Sequence, residues 1–558
     1  MRRSIASVSV LAVLAGLAIG VPAQAAEGVQ TITRDGVVIA HHRVAKPSTP
    51  MRGFGGTRSD FDGDGVDDVA ATADPSNYNG LPYPAMGVVS VRYSSAPQVD
   101  YFIGLMSQSD SGCSCFGMAL VAGDFNGDRY DDLAIGDPDE VDPGNKAYGG
   151  GVWIIPGSKA GLVPNSAIHF NQSSAGVPDV AETWDRFGAA LAAGDINGDA
   201  RDDLAIGAYG ESVGSKADAG AVTVLFGGPA GLTATGAQHL HQDLAAVPGA
   251  AENNDQFGYS LAIGKVDSNR YQDLVIGAPR ENDGVSWNGT GMVTLMWGGP
   301  GGVSTTGATS VTGAAVAPAT GDANTIAWYL GDVLAIGDVN GDGLGEVVAG
   351  APGAQTPHIN GGLVAVFTGR TAGLSAGAVR IFTQRTAGVP GDPEDDDRFG
   401  GTLAVGDVTR DGKADVLIGV PGEGVGSQSE AGMVVLLKGS ATGLTGTGAQ
   451  GFDQNHAVVP DTAERGDTFG ASVALLNLDG TGGMDALVGS VGEEVSGDLA
   501  GYPSGTLVPF HGVPLPGAPG ALTPANTSWS ELTMRTEVIW PQRYGLRIAG
   551  PQSGGPLF

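Results

Sequence analysis

The nine residues Asp195-Ile196-Asn197-Gly198-Asp199-Ala200-Arg201-Asp202-Asp203 place oxygen-bearing side chains at positions 1, 3, 5 and 9, around a glycine that permits a sharp turn. Position 7 can add a backbone carbonyl. Hard oxygen donors at this spacing suit Ca²⁺, which accepts irregular six- to eight-fold coordination more readily than Mg²⁺ does. An EF-hand would need a bidentate glutamate at position 12, where the intact copies of the loop carry Ala71, Ile135, Ile206, Ala349 and Ile418. Position 9 closes the loop instead, and the chain runs straight into an apolar strand, as a β-hairpin cation loop requires. Asp, Asn and Gly are common turn formers, so one such loop would mean little. Four or five aspartates within nine positions repel one another unless a cation intervenes, and the pattern recurs at matching offsets.

The loops begin at Asp60, Asp124, Asp195, Lys265, Asp338, Asp407 and Asn477, spaced 64, 71, 70, 73, 69 and 70 residues apart. The richest donor set is Asp60, Asp62, Asp64 and Asp68, followed by Asp124, Asn126, Asp128 and Asp132, then Asp195, Asn197, Asp199 and Asp203. The fifth copy offers Asp338, Asn340, Asp342 and Glu346. The sixth offers Asp407, Thr409, Asp411 and Asp415, where a hydroxyl and Arg410 predict weaker binding. In the fourth, Lys265 puts an ammonium beside Asp267, Asn269 and Asp273, which predicts a metal-free loop. The seventh keeps only two carboxylates, Asp479 and Asp485, beside Asn477 and Thr481. About five structural Ca²⁺ sites are expected, each tying one hairpin, so that folding is linked to calcium concentration.

Each loop sits in a larger repeating unit, which is the sequence signature of a repeat architecture. A Phe-Gly pair lies eight residues before the loop at Phe116, Phe187, Phe257, Phe399 and Phe469, with Leu330-Gly331 in the fifth copy and a displaced Phe54-Gly55 in the first. After the loop comes a short apolar strand ending in Gly-Ala or Gly-Ala-Pro, then a turn, a third strand such as Val222 to Phe226, a Gly-Leu turn and a fourth strand. Gln172, Gln242, Gln384 and Gln454 are placed at one offset on that fourth strand. Four short antiparallel strands cannot bury their faces alone and must pack on neighbouring units. The expected fold is all-β: a seven-bladed β-propeller of four-stranded antiparallel blades, whose circle leaves only short protected edges.

This arrangement resembles the FG-GAP repeat family, known from the amino-terminal propeller of integrin alpha chains and from secreted bacterial proteins. Phe257-Gly258 and Gly277-Ala278-Pro279 carry both halves of the name in one repeat, and the resemblance covers roughly residues 51–512. It implies the same hairpin calcium ligands that the residue chemistry suggests, and an extracellular adhesion or ligand-binding role. The family's propellers also accompany hydrolases, so an extracellular hydrolase or hydrolase-associated domain is the alternative.

The rest of the chain bounds these readings. Of 558 residues 60 are acidic and 28 basic, a net charge of −32 that argues against a nucleic-acid-binding surface, so no nucleic-acid partner is expected. Arg2 and Arg3, an apolar run from Ile5 to Ile19 and Ala23-Gln24-Ala25 predict a signal peptide over 1–25, hence a secreted protein. No later stretch has the ~18 uninterrupted apolar residues of a membrane helix. Segment 26–50 or the tail 513–558 is expected to complete the last blade and close the ring, and these short flanks leave little room for a separate catalytic domain. Cys113 and Cys115 lie too close for an unstrained bridge and read as structural.

No catalytic constellation is expected. Gly373-Leu374-Ser375-Ala376-Gly377 matches G-x-S-x-G but sits in a β turn, not between strand and helix. His239 and His241 read as a satisfied or exposed pair on a fourth strand. At the opposite ends of the strands from the loops, a second acidic set is predicted: Glu140, Glu211, Glu281, Glu423 and Glu493 after strand 2, with Glu182, Glu252, Glu394, Glu464, Asp185, Asp255, Asp397 and Asp467 between blades. Either they accept hydrogen bonds within the blades, or they form an acidic rim for a cationic or cation-bridged ligand. The expected partner is an unidentified extracellular protein or a cell-wall polysaccharide.

Overall fold

Strand 2 of each unit shows why the units must associate. In Asp203–Ala208 every residue is buried, yet alternate side chains of a strand point to opposite faces of its sheet. Leu204 and Ile206 pack with Val121, Val152 and Phe187 on one side, while Ala205 packs with Leu261, Leu274 and Ile276 on the other. A sheet buried on both faces needs a neighbour on each side, and a closed circle supplies one to every blade.

The computed structural model describes residues 30–45, 59–73, 87–94, 98–104, 115–282, 289–321, 326–355, 360–457, 459–478, 480, 483–493, 505–513, 521–524, 529–530 and 544–548. Seven antiparallel sheets follow one another. Blades two to seven run outward in chain order from the inner strands Ala119–Gly123, Ala190–Gly194, Ser260–Gly264, Val333–Gly337, Thr402–Gly406 and Phe469–Leu476. Blade three is representative: Leu191 pairs with Ile206, Ile206 with Thr223, and Thr223 with His239. Helix is confined to short pieces such as Gly313–Val316, so the all-β propeller expected from the repeats is the observed fold. The predicted signal peptide lies outside the described residues, and no described helix is long and apolar enough to cross a membrane.

Blade one is assembled from distant parts of the chain. Its inner strand, Tyr544–Ile548, pairs with Val69–Ala73, followed outward by Val88–Arg92 and Gln98–Gly104. The hairpin Gln30–Arg34 and Val37–Ala45 then adds two outer strands. The two flanking segments thus take opposite edges of one sheet. Val69 and Ala71 pack with Leu476, Leu478 and Leu487 of blade seven, which closes the ring. The outer hairpin is pinned by fully buried Asp100, which accepts from Arg43 (2.6 and 2.7 Å), His41 (3.2 Å) and Tyr93 (2.6 Å). Burial opposes the Asp100 charge, but these donors outweigh it and hold the carboxyl below its usual range.

The Phe-Gly and Gly-Ala-Pro elements meet across blade boundaries. Phe187 and Phe257 are fully buried in the junctions preceding their own blades. Gly258 adopts φ +88°, and its N–H donates to the carbonyl of Gly277 in its own blade at 3.0 Å, which leaves its carbonyl facing Gly207 of the preceding blade. A Cβ on Gly207 would lie 2.1 Å from the Gly258 carbonyl oxygen. Glycine at both positions is what lets the backbones approach.

One placement differs from the sequence reading. Fourth strands end at Phe170, Leu240, Phe382 and Phe452, so Gln172, Gln242, Gln384 and Gln454 lie two residues beyond them, as His241 lies one beyond. The chain turns there to start the next blade, which frees these side chains to reach it.

Candidate metal centre and the acidic faces

Each position of the hairpin loop has its own physical task. Position 2 is an apolar plug in all seven copies: Phe61, Phe125, Ile196, Val266, Val339, Val408 and Leu478 are all buried. Position 1 holds the turn. Asp195 accepts from the N–H groups of Gly198, Asp199 and Ala200 at 2.7, 3.0 and 3.0 Å, and Asp60, Asp124 and Asp338 repeat the pattern. Position 5 caps the N–H two residues on, as Asp128 does for Tyr130, Asp199 for Arg201, Asp342 for Leu344 and Asp411 for Lys413.

Position 9 joins two parts of its own blade. Asp203 accepts from the N–H of Ile196 at 3.1 Å in the loop and from Gly227 at 2.9 Å after the third strand. Asp273 and Asp485 do the same in the two loops that lost the position-1 aspartate, so this residue has a structural duty apart from any metal. Position 8, which the ligand pattern passes over, ties neighbouring blades. Asp131 accepts from the N–H of Asp60, Asp202 from Asp124, and Asp67 from Asn477, at 2.8, 3.0 and 2.7 Å. Its backbone N–H donates to the position-1 carbonyl of the preceding loop at every junction, including Asp67 to Asn477 across the seam. Retention of aspartate at position 9 in the Lys265 and Asn477 copies was the available signal for that first duty.

The first loop gathers its donors most closely. Ligand oxygens of Asp60, Asp62 and Asp68 lie within 4.8 Å of one another, and all three residues are buried. Asp64 turns away, accepting from Val66 N–H and from Ser94 Oγ at 2.9 Å. Burial, reinforced by the Asp62 charge, raises the Asp60 carboxyl to about 6 and Asp68 well above its usual range. Elsewhere the position-3 side chain bridges to position 9: the amide nitrogens of Asn197 and Asn340 donate to Asp203 at 3.1 Å and Glu346 at 2.7 Å, and Asn126 reaches Asp132. Thr409 donates its backbone N–H to Asp415, and Asp407 accepts from Asp411 and Gly412. Among the described residues, these loops do not bring three carboxylates as close as the first does. In the fourth, Asn269 donates to Asp267 at 3.0 Å. Asp479 and Thr481 fall outside the described residues. The first loop's buried oxygen-only donors fit a hard divalent cation.

At the other ends of the strands the second acidic set is drawn into blade-to-blade contacts. Asp185, Asp255 and Asp397 accept the N–H of Glu182, Glu252 and Glu394 at 2.5, 2.6 and 2.6 Å. Glu211, Glu281 and Glu423 each accept at 2.5 Å from the amide of Gln172, Gln242 or Gln384, supplied by the preceding blade. Glu464–Asp467 and Gln454–Glu493 repeat both contacts. Glu140 is different: it accepts from His169 at 2.7 Å and Trp153 at 3.3 Å within its own blade. Val180, Trp184 and Ile326, the exposed large hydrophobics among the described residues, also lie on the interblade segments of this end.

The remaining candidates occupy ordinary positions. Ser375 lies between third and fourth strands, ahead of the 3-10 turn Ala376–Ala378. The His239 and His241 rings sit 5.5 Å apart, and burial lowers the basicity of both. Cys115 Sγ lies 3.1 Å from Asp139, while Cys113 is outside the described residues.

The FG-GAP repeat family matches residues 116–155, 187–225, 330–367 and 399–437, the first three strands of blades two, three, five and six. The chain is 30% identical over 191 residues to phosphatidylinositol-glycan-specific phospholipase D of Bos taurus, covering 34% of this chain and 21% of that protein. It is 29% identical over 228 residues to integrin alpha-PS2 of Drosophila melanogaster (39% and 14%) and 30% identical over 235 residues to integrin alpha-V of Gallus gallus (40% and 20%). It therefore spans a quarter or less of the length of these relatives. With four matched repeats inside a closed ring of seven sheets, the chain carries FG-GAP repeats in an integrin-alpha-like β-propeller.

Proposed function

We propose that this propeller is a secreted, calcium-stabilised module for adhesion or ligand binding, with the cations structural in the hairpin loops and the ligand received at the opposite face. The observation that carries this reading is the division of labour between the two ends. One end is locked by loop-to-loop hydrogen bonds around the ring. The other displays Val180, Trp184 and Ile326 at 61, 50 and 37% exposure on segments held by that rigid frame. Binding residues concentrate on loops positioned by rigid scaffolds, and exposed aromatics commonly anchor partners. Similarity to a phospholipase D supports a second reading, in which the propeller presents a substrate to a hydrolase.

Surface binding of the calcium-loaded protein to immobilised cell-wall polysaccharides and extracellular proteins is the test. Wild type is expected to bind one class, and Trp184→Ala to weaken it by about tenfold, the scale of a ~1.4 kcal/mol anchor. Equal binding by Trp184→Ala and Val180→Asp would remove this face from the account. Phosphodiesterase turnover without ligand capture would favour the second reading.

A further inference from the structure

The carboxylates at the junction between blades two and three are gathered more tightly than their mutual hydrogen bonds require. Ligand oxygens of Glu182, Asp185 and Glu211 lie within 4.8 Å of one another, with Asp185 and Glu211 each only 2% exposed and Glu182 open to solvent. Carboxylates this close repel strongly once removed from water. Besides burial, the charges bearing on Glu211 come from Asp185, Asp179 and Glu182, all of one sign. Arg186 is committed elsewhere, paired with Asp139 and lying 5.0 Å over the Trp184 ring.

An independent group points into the same place. Gln172, 98% buried, donates its amide nitrogen to Glu211 at 2.5 Å and also bonds Asp185, while its Oε1 has no hydrogen-bond partner. A buried amide oxygen without a donor is costly. A half-turn of the terminal amide exchanges nitrogen for oxygen and turns a fourth neutral oxygen onto the three carboxylates. The next junction repeats the arrangement: Glu252, Asp255 and Glu281 gather within 4.8 Å, and Gln242 Oε1 and Asp255 Oδ1 are both buried without partners.

We propose that Glu182, Asp185, Glu211 and the carbonyl oxygen of Gln172 form a divalent-cation site between blades two and three, at the end of the strands opposite the hairpin loops. Glu252, Asp255, Glu281 and Gln242 form its counterpart between blades three and four. Oxygen donors of mixed charge with one solvent-facing ligand favour Ca²⁺, which keeps water and tolerates irregular geometry. The ion clamps the end of one blade's outer strand to the strand 2–3 connection of the next, beside the exposed Trp184. This site is separate from the hairpin loops and does not depend on their loading.

Terbium is a suitable probe, because Trp184 lies in sequence between two of the ligands and can transfer excitation to a bound lanthanide. Tryptophan-excited Tb³⁺ emission from the full chain is expected, displaced by Ca²⁺ and largely lost in Trp184→Phe. Glu182→Gln, at an exposed position, and Glu211→Gln should each weaken the Trp184-dependent signal by about tenfold or more, since affinity follows ligand charge. A first-loop Asp60→Asn/Asp62→Asn variant should lower total bound cation while leaving that signal intact, which keeps failure of the loops distinct from failure here. Absence of Trp184-dependent emission, or unchanged affinity in folded Glu182→Gln and Glu211→Gln proteins, overturns the proposal.

Discussion

Alanine at Gly207 is expected to cost roughly 3 kcal/mol or more, the upper range for overpacking a rigid interior. The added Cβ would sit 2.1 Å from the Gly258 carbonyl oxygen and 3.2 Å from Ala190 Cβ. Neither strand can retreat freely. Gly258 N–H is bonded to the Gly277 carbonyl and Gly188 N–H to the Gly207 carbonyl, both at 3.0 Å, and the Asp203–Ala208 strand is buried against blades on both sides. Gly301 is the control, since nothing lies within 4 Å of its Cβ position and its backbone is ordinary. Gly301→Ala should stay within about 0.5 kcal/mol of wild type. Urea unfolding of the three proteins at fixed calcium measures the difference, and similar midpoints would show that the glycine contacts do not hold the blades together.

Chelation is expected to destabilise the protein strongly at pH 8 and weakly near pH 5. Burial, followed by backbone hydrogen bonds that only partly offset it, raises Asp132 to about 8, Asp203 and Glu346 to about 7, and Asp415 to about 6. Unfolded aspartate and glutamate titrate near 4, so the folded state holds these protons more tightly. Without cations, that contribution is full at low pH and is lost as pH rises through 6 to 8. A bound cation replaces the protons and reverses the loss. At a hundredfold excess over its dissociation constant each ion contributes about 2.7 kcal/mol. Two other groups respond to pH independently of the loops. Asp100, held below its usual range, loses its contribution in acid, and His169, raised to about 9 because Glu140 and Asp35 outweigh its burial, loses its contribution as pH rises from about 6.5 to 9, with or without cations. Thermal melting from pH 5 to 8 with calcium or chelator should give curves that diverge as pH rises. Parallel curves would mean that the loops keep their charge without metal.

The blade count was legible because each unit repeats its own turn and strand signals, so the period survives divergence such as Leu330 for phenylalanine. Four loop positions stood out because acidic residues at alternate positions point to one chemistry. Positions 2 and 8 did not, since an apolar plug and an aspartate beside another aspartate look ordinary until the neighbouring blade is present. The partners of Gln172 and Gln242 were hidden for the same reason, although Gln172–Glu211, Gln242–Glu281, Gln384–Glu423 and Gln454–Glu493 all share a separation of 39 residues. The inner strand of blade one lies more than 450 residues from its partner, and no local pattern marks Tyr544–Ile548 for that edge.

Direct counting of bound metal tests the central claim. Isothermal titration of the metal-stripped full chain with Ca²⁺, with elemental analysis of the loaded protein, should find ions at the loops starting at Asp60, Asp124, Asp195, Asp338 and Asp407. The first should be lost selectively in Asp60→Asn/Asp62→Asn. A folded, metal-stripped chain that takes up no Ca²⁺, or one whose uptake is unchanged by that variant, would contradict the account.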